Sequence, residues 1–285
     1  LGEGVTSFAV GDRVAGVPLK PCMQCEDCMR GNYSLCRHYQ FIGSRQQGAF
    51  AEYVAVPAQN AVKISDSVTF EMGALFEPST VALHGIRCSG MRGGQDVAIL
   101  GTGNIGILAM QWAKIMGAKR TAVFDIFDER LELAARLGAD AVFNTTKENW
   151  LEEALAYTGG RGFEQVFETA GQPATIKNGF RLVCNHGQMT CIGTPHKDLT
   201  FGWQEWEALN RKEFHLTGTW MSYSAPFPGA EWTQTAHYFS TGQLKLDPSM
   251  IYARIPLSRC TEAAELFLTP GLVKGKVLLV NDITE

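Results

Sequence analysis

The 285-residue sequence has no excess of basic residues: 25 Lys and Arg stand against 29 Asp and Glu, a formal net charge of −4. Binding to a nucleic-acid backbone draws on clustered cations, so this balance excludes a nucleic-acid partner. No apolar run approaches the roughly 20 residues that span a bilayer, which excludes a membrane partner of that kind. No basic-then-apolar leader marks secretion, and neither repeats nor low-complexity linkers occur. The 30 Gly and 11 Pro are too few for a fibrous chain and too many for a helical bundle. Also missing is an initiator Met. The chain opens LGEGVTSFAVGDRV, in which Val5, Phe8, Val10 and Val14 alternate like strand material and Gly11-Asp12 reads as a turn. The expectation is a chain that starts inside a domain whose first part lies upstream. At 45% hydrophobic and 19% charged residues it has the composition of an ordinary core. Its length suits two domains of roughly 150 residues.

Eight cysteines are present, and they are unevenly placed. Cys22, Cys25, Cys28 and Cys36 form C-x2-C-x2-C-x7-C within fifteen residues. Four thiolates so spaced can close a tetrahedron around one zinc ion, leaving no corner open for a substrate, so the site reads as structural. Two disulfides are the poorer alternative without a secretory leader. An iron–sulfur cluster is the other, and its last spacing differs from the one found here. Cys88, Cys184, Cys191 and Cys260 are isolated and read as packing thiols.

A short apolar run, 97–100, leads into Gly101-Thr102-Gly103-Asn104-Ile105-Gly106. Ile105, Leu108, Ala109, Trp112, Ile115 and Met116 then recur at helical spacing up to Gly117, and a second apolar run, 121–124, ends at Asp125. Strand, glycine turn, helix, strand and acid in this order are the context that a G-x-G-x-x-G needs to be read as dinucleotide-binding. Gly101 permits the tight turn, Gly103 admits a pyrophosphate and Gly106 lets helix and strand pack closely. The helix start at Asn104 and Ile105 offers unpaired N–H groups to phosphates. Asp125, nineteen residues after Gly106, is placed to accept from ribose hydroxyls and to repel a 2′-phosphate, which favours NAD over NADP. A dinucleotide fold that has lost its nucleotide is the alternative. Further helices are expected over 128–137, 148–157, 174–183 and 260–268. Further strands are expected over 141–143, 165–167, 189–192, 250–255 and 276–280. The pattern predicts an α/β fold with a doubly wound parallel sheet. Thr169, Ala170, Gly193 and Thr194 follow strand ends and so belong to loops that line a cofactor crevice.

The cysteine lobe, FIGSRQQGAFAEYV, LFEPSTVALH and the glycine turn, in that order, resemble the zinc-dependent medium-chain alcohol and polyol dehydrogenases, from Val5 to Val280. The resemblance implies a GroES-like β-rich catalytic domain over 1–79 and 224–285, truncated at its N-terminus, and a Rossmann NAD-binding domain over 80–223. It also implies an oxidoreductase that passes hydride from a secondary alcohol, here of a polyol phosphate, to NAD. Two zinc ions would serve, one structural and one catalytic. The enzyme would be cytoplasmic, with a small-molecule substrate, and a homodimer or homotetramer. A free polyol, amino alcohol or simple alcohol is the alternative substrate, and a non-catalytic nucleotide-binding subunit the alternative function.

Of the family's catalytic zinc ligands (a Cys, a Gly-His-Glu segment and a Glu before Pro) only the last has a counterpart, Glu77 in Phe76-Glu77-Pro78. None of the six histidines follows Gly and precedes Glu. The chain on its own is therefore expected to be inactive, the missing ligands lying upstream. A solvated turn residue is the other reading of Glu77. His84 reads as a packing or hydrogen-bonding residue. Arg130 would flank the adenosine half, or else be an exposed helix arginine. Tyr223 resembles a polyol-pocket residue, although Ser222 stands where relatives often carry Arg. Arg45 and Lys212 are left as candidate phosphate groups. Trp203, Trp206, Trp220 and Trp232 read as core or interface aromatics.

Overall fold

The computed structural model describes residues 1–269 and 271–281. The chain divides into two compact units, Leu1–Thr80 with Met221–Glu285, and Val81–Trp220.

The first unit is built from short strands. β1 (Val14–Gly16) and β2 (Leu19–Lys20) precede the cysteine lobe with its short helix α1 (Glu26–Met29), and β3 (Gln40–Phe41) and β4 (Ala61–Lys63) follow it. β1 pairs antiparallel with β4 and β2 with β3. Asn60 is fully buried and bridges the first strands, its amide donating to the carbonyls of Val17 and Leu19 at 2.8 and 2.6 Å. The alternation at Val5, Phe8 and Val10 does not become a strand. With no pairing strand among the described residues, the chain turns there, the Asp12 carboxylate accepting from Ala9 N, and Val10 is 89% exposed. The short helix α2 (Phe70–Gly73) is capped by Thr69, whose hydroxyl accepts from Met72 N. Helix α3 (Phe76–Cys88) follows directly.

The second unit carries the predicted sheet. Its strands are β5 (Asp96–Leu100), β6 (Arg120–Asp125), β7 (Ala141–Asn144), β8 (Phe163–Glu168), β9 (Val183–Cys191) and β10 (His215–Gly218). All pairings are parallel, and the order across the sheet is β7-β6-β5-β8-β9-β10. The chain reverses direction across the sheet between β5 and β8, so a crevice opens beyond their carboxyl ends. Helices α4 (Asn104–Ile115), α5 (Asp128–Arg136), α6 (Trp150–Tyr157) and α7 (Pro173–Leu182) join these strands. β5 is buried at all five positions, as expected of a central parallel strand covered on both faces. Phe124 anchors one side of the core, stacked on Phe143 at 5.1 Å and edge-on to Trp150 and Phe163. Helix α8 (Trp203–Lys212) and β10 have no counterpart among the sequence expectations. The α8 pattern is weak because Trp203 and Trp206 are 73% and 48% exposed, and Trp220 is 51% exposed. Of the four tryptophans read as core or interface, only Trp232 is fully buried.

The last stretch returns to the first unit as helix α9 (Ala230–Ser240), strand β11 (Ile251–Pro256), helix α10 (Cys260–Leu266) and strand β12 (Lys276–Val280). β11 and β12 pair in parallel. Phe239 of α9 stacks on Phe76 at 5.6 Å, and Trp232 stacks on Tyr223, making the apolar centre of this unit.

One ion pair fixes the start of β5. Asp96 is 2% exposed and receives Arg120 Nε and Nη2 at 2.8 and 2.6 Å, a two-pronged contact that holds its carboxyl below the usual carboxylate range. A carboxyl depressed by folding contributes stability above its unfolded pKa of about 3.9 and loses it as pH falls. Arg120→Met should therefore cost about 2 kcal/mol in urea unfolding at pH 7, a value kept low by the solvent around the guanidinium. The gap to the unsubstituted protein should narrow as the pH is taken below about 4.

Candidate functional site

Beyond the ends of β5 and β8 lies a cavity of about 500 Å³. Gly101, Gly103, Asp125, Arg130 and Thr169, all singled out from sequence, line it together with Thr102, Phe127, Thr175 and Asn178. The glycines divide the work in a way that a side chain tested at each position makes plain. Gly101 has φ +94°, and an added Cβ would lie 2.9 Å from that of Ala170. A Cβ at Gly106 would fall 1.9 Å from the carbonyl oxygen of Gly101, so helix and strand close only around a hydrogen. At Gly103 a Cβ would meet nothing within 4 Å, which leaves backbone open to a ligand. Gly103 also precedes the first residue of α4, and no side chain caps that helix. Asn104 and Ile105 form its first turn, so their N–H groups and the positive end of the helix dipole face an uncapped terminus.

Asp125 closes β6 at 8% exposure. Its Oδ2 accepts from Thr102 N at 2.8 Å and from the Thr102 hydroxyl at 2.5 Å, and its Oδ1 accepts from Ile126 N and Phe127 N at 2.8 and 3.1 Å. The carboxylate thus ties the glycine turn to the end of β6 while remaining on the cavity wall. Thr102 was not singled out from sequence; its place inside the glycine motif, two residues beyond β5, was the available signal. Arg130 is neither exposed nor tightly paired: Nη1 lies 3.9 Å from Asp125 Oδ2, and the guanidinium lies 5.1 Å from the Phe127 ring centre. Gly193 stands behind the wall, where a Cβ would collide with Gly171 N at 2.3 Å.

The four cysteines converge as their spacing requires. One ligand atom from each of Cys22, Cys25, Cys28 and Cys36 lies within 4.8 Å of the others, and Cys22 Sγ is 3.9 Å from Cys28 Sγ. A zinc–sulfur bond of about 2.3 Å in a tetrahedron places sulfurs about 3.8 Å apart, so the set fits one zinc ion. Backbone N–H groups already point at two sulfurs, Cys22 N at Cys36 Sγ and Cys25 N at Cys22 Sγ. Of the remaining thiols read as packing residues, Cys191 is half-buried and packs against the core of the second unit, Cys184 and Cys260 are half-buried, and Cys88 is exposed. Cys88 instead contacts His84 Nε2 at 3.4 Å, one helical turn back.

Glu77 lies in the first turn of α3 and not in a solvated turn. Burial pushes its carboxyl up, and the charge of Lys276 partly opposes this. Burial of Tyr223 raises its phenol, and the charge of Glu77 adds to this. Among the described residues no other His, Cys, Asp or Glu joins Glu77 in a ligand set, the four cysteines being the only such group of three or more. These residues do not fit a catalytic zinc ion.

The candidate phosphate groups are both engaged elsewhere. Arg45 donates to the carbonyl and the hydroxyl of Tyr39 and covers its ring. Lys212 Nζ donates to the carbonyls of Phe180, Arg181 and Val183 at 2.8 to 2.9 Å, closing the end of α7. Ser222 is buried and bonded to the Thr80 hydroxyl at 2.7 Å. A larger groove of about 940 Å³ lies in the first unit along the exposed stretch that includes Phe50 and Tyr53. No carboxylate is among the residues that line it. No helix among the described residues is long and apolar enough to cross a membrane.

Comparison with known proteins agrees with this geometry. The family model described as alcohol dehydrogenase GroES-like domain matches residues 1–66, and that described as zinc-binding dehydrogenase matches residues 104–236. Galactitol 1-phosphate 5-dehydrogenase of Escherichia coli (strain K12) is 36% identical over 280 residues, 98% of this chain and 80% of the relative. The crystal structure of galactitol-1-phosphate dehydrogenase from Escherichia coli superposes with a TM-score of 0.91 over the same shares. L-threonine 3-dehydrogenase of Symbiobacterium thermophilum is 32% identical over 284 residues, 99% of this chain and 78% of the relative. A zinc-binding dehydrogenase of Sinorhizobium meliloti 1021, solved bound to NADP, is 31% identical with a TM-score of 0.86, over 98% of this chain and 79% of that one. The α/β architecture, the glycine-turn cavity and the cysteine lobe therefore have one source: the chain belongs to the zinc-containing medium-chain alcohol and polyol dehydrogenases.

Proposed function

We propose that this oxidoreductase transfers hydride from a secondary alcohol of a polyol phosphate, galactitol 1-phosphate, to NAD, giving tagatose 6-phosphate. The observation that carries the cofactor half is Asp125 on the cavity wall at the end of β6. A carboxylate there accepts from the ribose hydroxyls and repels a 2′-phosphate. The 36% identity to the galactitol 1-phosphate enzyme supports the substrate, and the 32% identity to a threonine dehydrogenase keeps an amino alcohol as the competitor. A cytoplasmic homodimer or homotetramer belongs to the same proposal.

When bound, the nicotinamide ring accepts the hydride. The chain's own part is to place the cofactor. Backbone at Gly103 gives the pyrophosphate close access, the first amides of α4 donate to it, and Asp125 with Arg130 on its flank orients the adenosine half. Cys22, Cys25, Cys28 and Cys36 would hold the structural zinc, which contributes folding free energy directly. Glu77 without companion ligands favours a second reading, a nucleotide-binding chain that does not catalyse by itself.

The two readings part in one assay, NADH formation from galactitol 1-phosphate, sorbitol and L-threonine with zinc supplied. A rate with galactitol 1-phosphate at least tenfold above the others supports the first. Micromolar NAD binding with no NADH from any of them supports the second. Under either reading Asp125→Ser should weaken NAD binding by about 10- to 100-fold, the worth of hydrogen bonds to a charged group. It should also narrow the preference over NADP, as read by calorimetry with both cofactors. Cys25→Ala should remove one equivalent of bound zinc and lower the melting temperature. Unchanged zinc content would refute the assignment of the lobe.

A further inference from the structure

Glu168, the last residue of β8, is fully buried and is not among the residues lining the cavity beside it, yet its carboxylate binds that cavity's wall. Its Oε1 accepts from Ala170 N at 2.9 Å, Gly171 N at 2.9 Å and the Thr175 hydroxyl at 2.6 Å, and Gly171 N also reaches Oε2 at 3.1 Å. Its backbone carbonyl accepts from Ile192 N and Gly193 N at 2.8 and 3.0 Å. One residue therefore grips both turns at the crevice, 169–171 after β8 and 192–194 after β9. The turns touch so closely that a Cβ at Gly171 would lie 2.3 Å from Thr194 O. The first turn then meets the glycine motif, Thr169 N and Oγ1 donating to Leu100 O and Thr169 Oγ1 also to Gly101 O. A fully buried carboxylate answered by amides and a hydroxyl, with no ion pair among the described residues, is costly unless those donors stay in place.

We propose that Glu168 is a positioning residue for the dinucleotide. Its carboxylate fixes the 169–175 wall of the cavity, so that cofactor affinity depends on a side chain that never touches the cofactor. The proposal rests on the reading of that cavity as the NAD site. Ala170 and Thr175 are at once wall residues and donors to the Glu168 carboxylate, so the wall keeps its shape only while the carboxylate keeps its donors.

The charge state supplies the distinguishing readout. Burial pushes the Glu168 carboxyl up, while the Thr175 hydroxyl and the Ala170 and Gly171 amides pull it back. The titratable side chain facing it is Cys191 on β9, pushed up to about 11 by burial and by the Glu168 charge, so it stays protonated through the neutral range. A raised carboxyl takes up its proton above the usual carboxylate range, and a neutral acid donates at one oxygen and releases an amide. NAD affinity should fall as the pH is lowered from about 8 to about 5.

The test is calorimetric NAD binding across that range for the unsubstituted chain, Glu168→Gln and Thr175→Val, with melting temperatures taken alongside. Glu168→Gln should bind NAD at least tenfold more weakly at pH 8 and lose most of the acid-side fall. Thr175→Val, which keeps the carboxylate and removes one donor, should bind several-fold more weakly and serves if the Gln variant does not fold. A Gln variant that melts lower but binds NAD with unaltered affinity and pH profile overturns the proposal. An unsubstituted chain that binds no NAD overturns the cavity assignment with it.

Discussion

The second unit depends on a closure with no clearance between backbone turns. A parallel sheet whose chain reverses between β5 and β8 must bring the turns after those strands side by side. Here they meet without side chains between them: Gly101 against Ala170, Gly106 against Gly101, and Gly193 against Gly171. Two carboxylates then supply the order that missing side chains cannot. Asp125 holds the turn after β5, Glu168 the turn after β8, and Thr169 joins them through Leu100 and Gly101. The cavity is what this framework leaves over, a space walled by backbone and short polar side chains.

The first unit solves a different problem. Its paired strands are two to six residues long, and such strands cannot by themselves hold a sheet. Order comes from elsewhere: the Asn60 amide bridging two carbonyls, the stacked Phe76 and Phe239, and four thiols drawn to within reach of a single ion. Ser34, in the loop between Cys28 and Cys36, exchanges hydrogen bonds with the backbone of Tyr223, carrying the order of the cysteine lobe to a segment nearly two hundred residues away. A metal at the lobe would thereby stiffen more than its own loop.

The α/β fold was legible because glycine spacing and apolar runs are local signals. Strands 97–100, 121–124 and 141–143 and helix 128–137 need no distant partner to be recognised, and they lie within β5, β6, β7 and, but for one residue, α5. Cys22 to Cys36 was legible for the same reason. What escaped depends on partners far along the chain. Val5 to Val10 has the alternation of a strand but pairs with no strand among the described residues. Trp203 and Trp206 read as core or interface aromatics; on α8 Trp203 is largely exposed, and Trp206 packs one side on Phe180 and Phe201. Glu168 gives no sequence signal beyond ending a strand, since its donors are defined only by how the following turn folds back. Lys212 read as a candidate phosphate group because its sequence gives no sign of the three carbonyls that converge on it.

That lysine bears on how the protein can be altered. Three carbonyls at the end of α7 surround a compact ammonium whose three protons point in three directions. A guanidinium is flat and holds its donors in one plane, so it cannot satisfy the same three acceptors. Exchanging surface lysines for arginines is a common route to tougher or more crystallisable proteins, and position 212 is one that such a redesign has to leave alone.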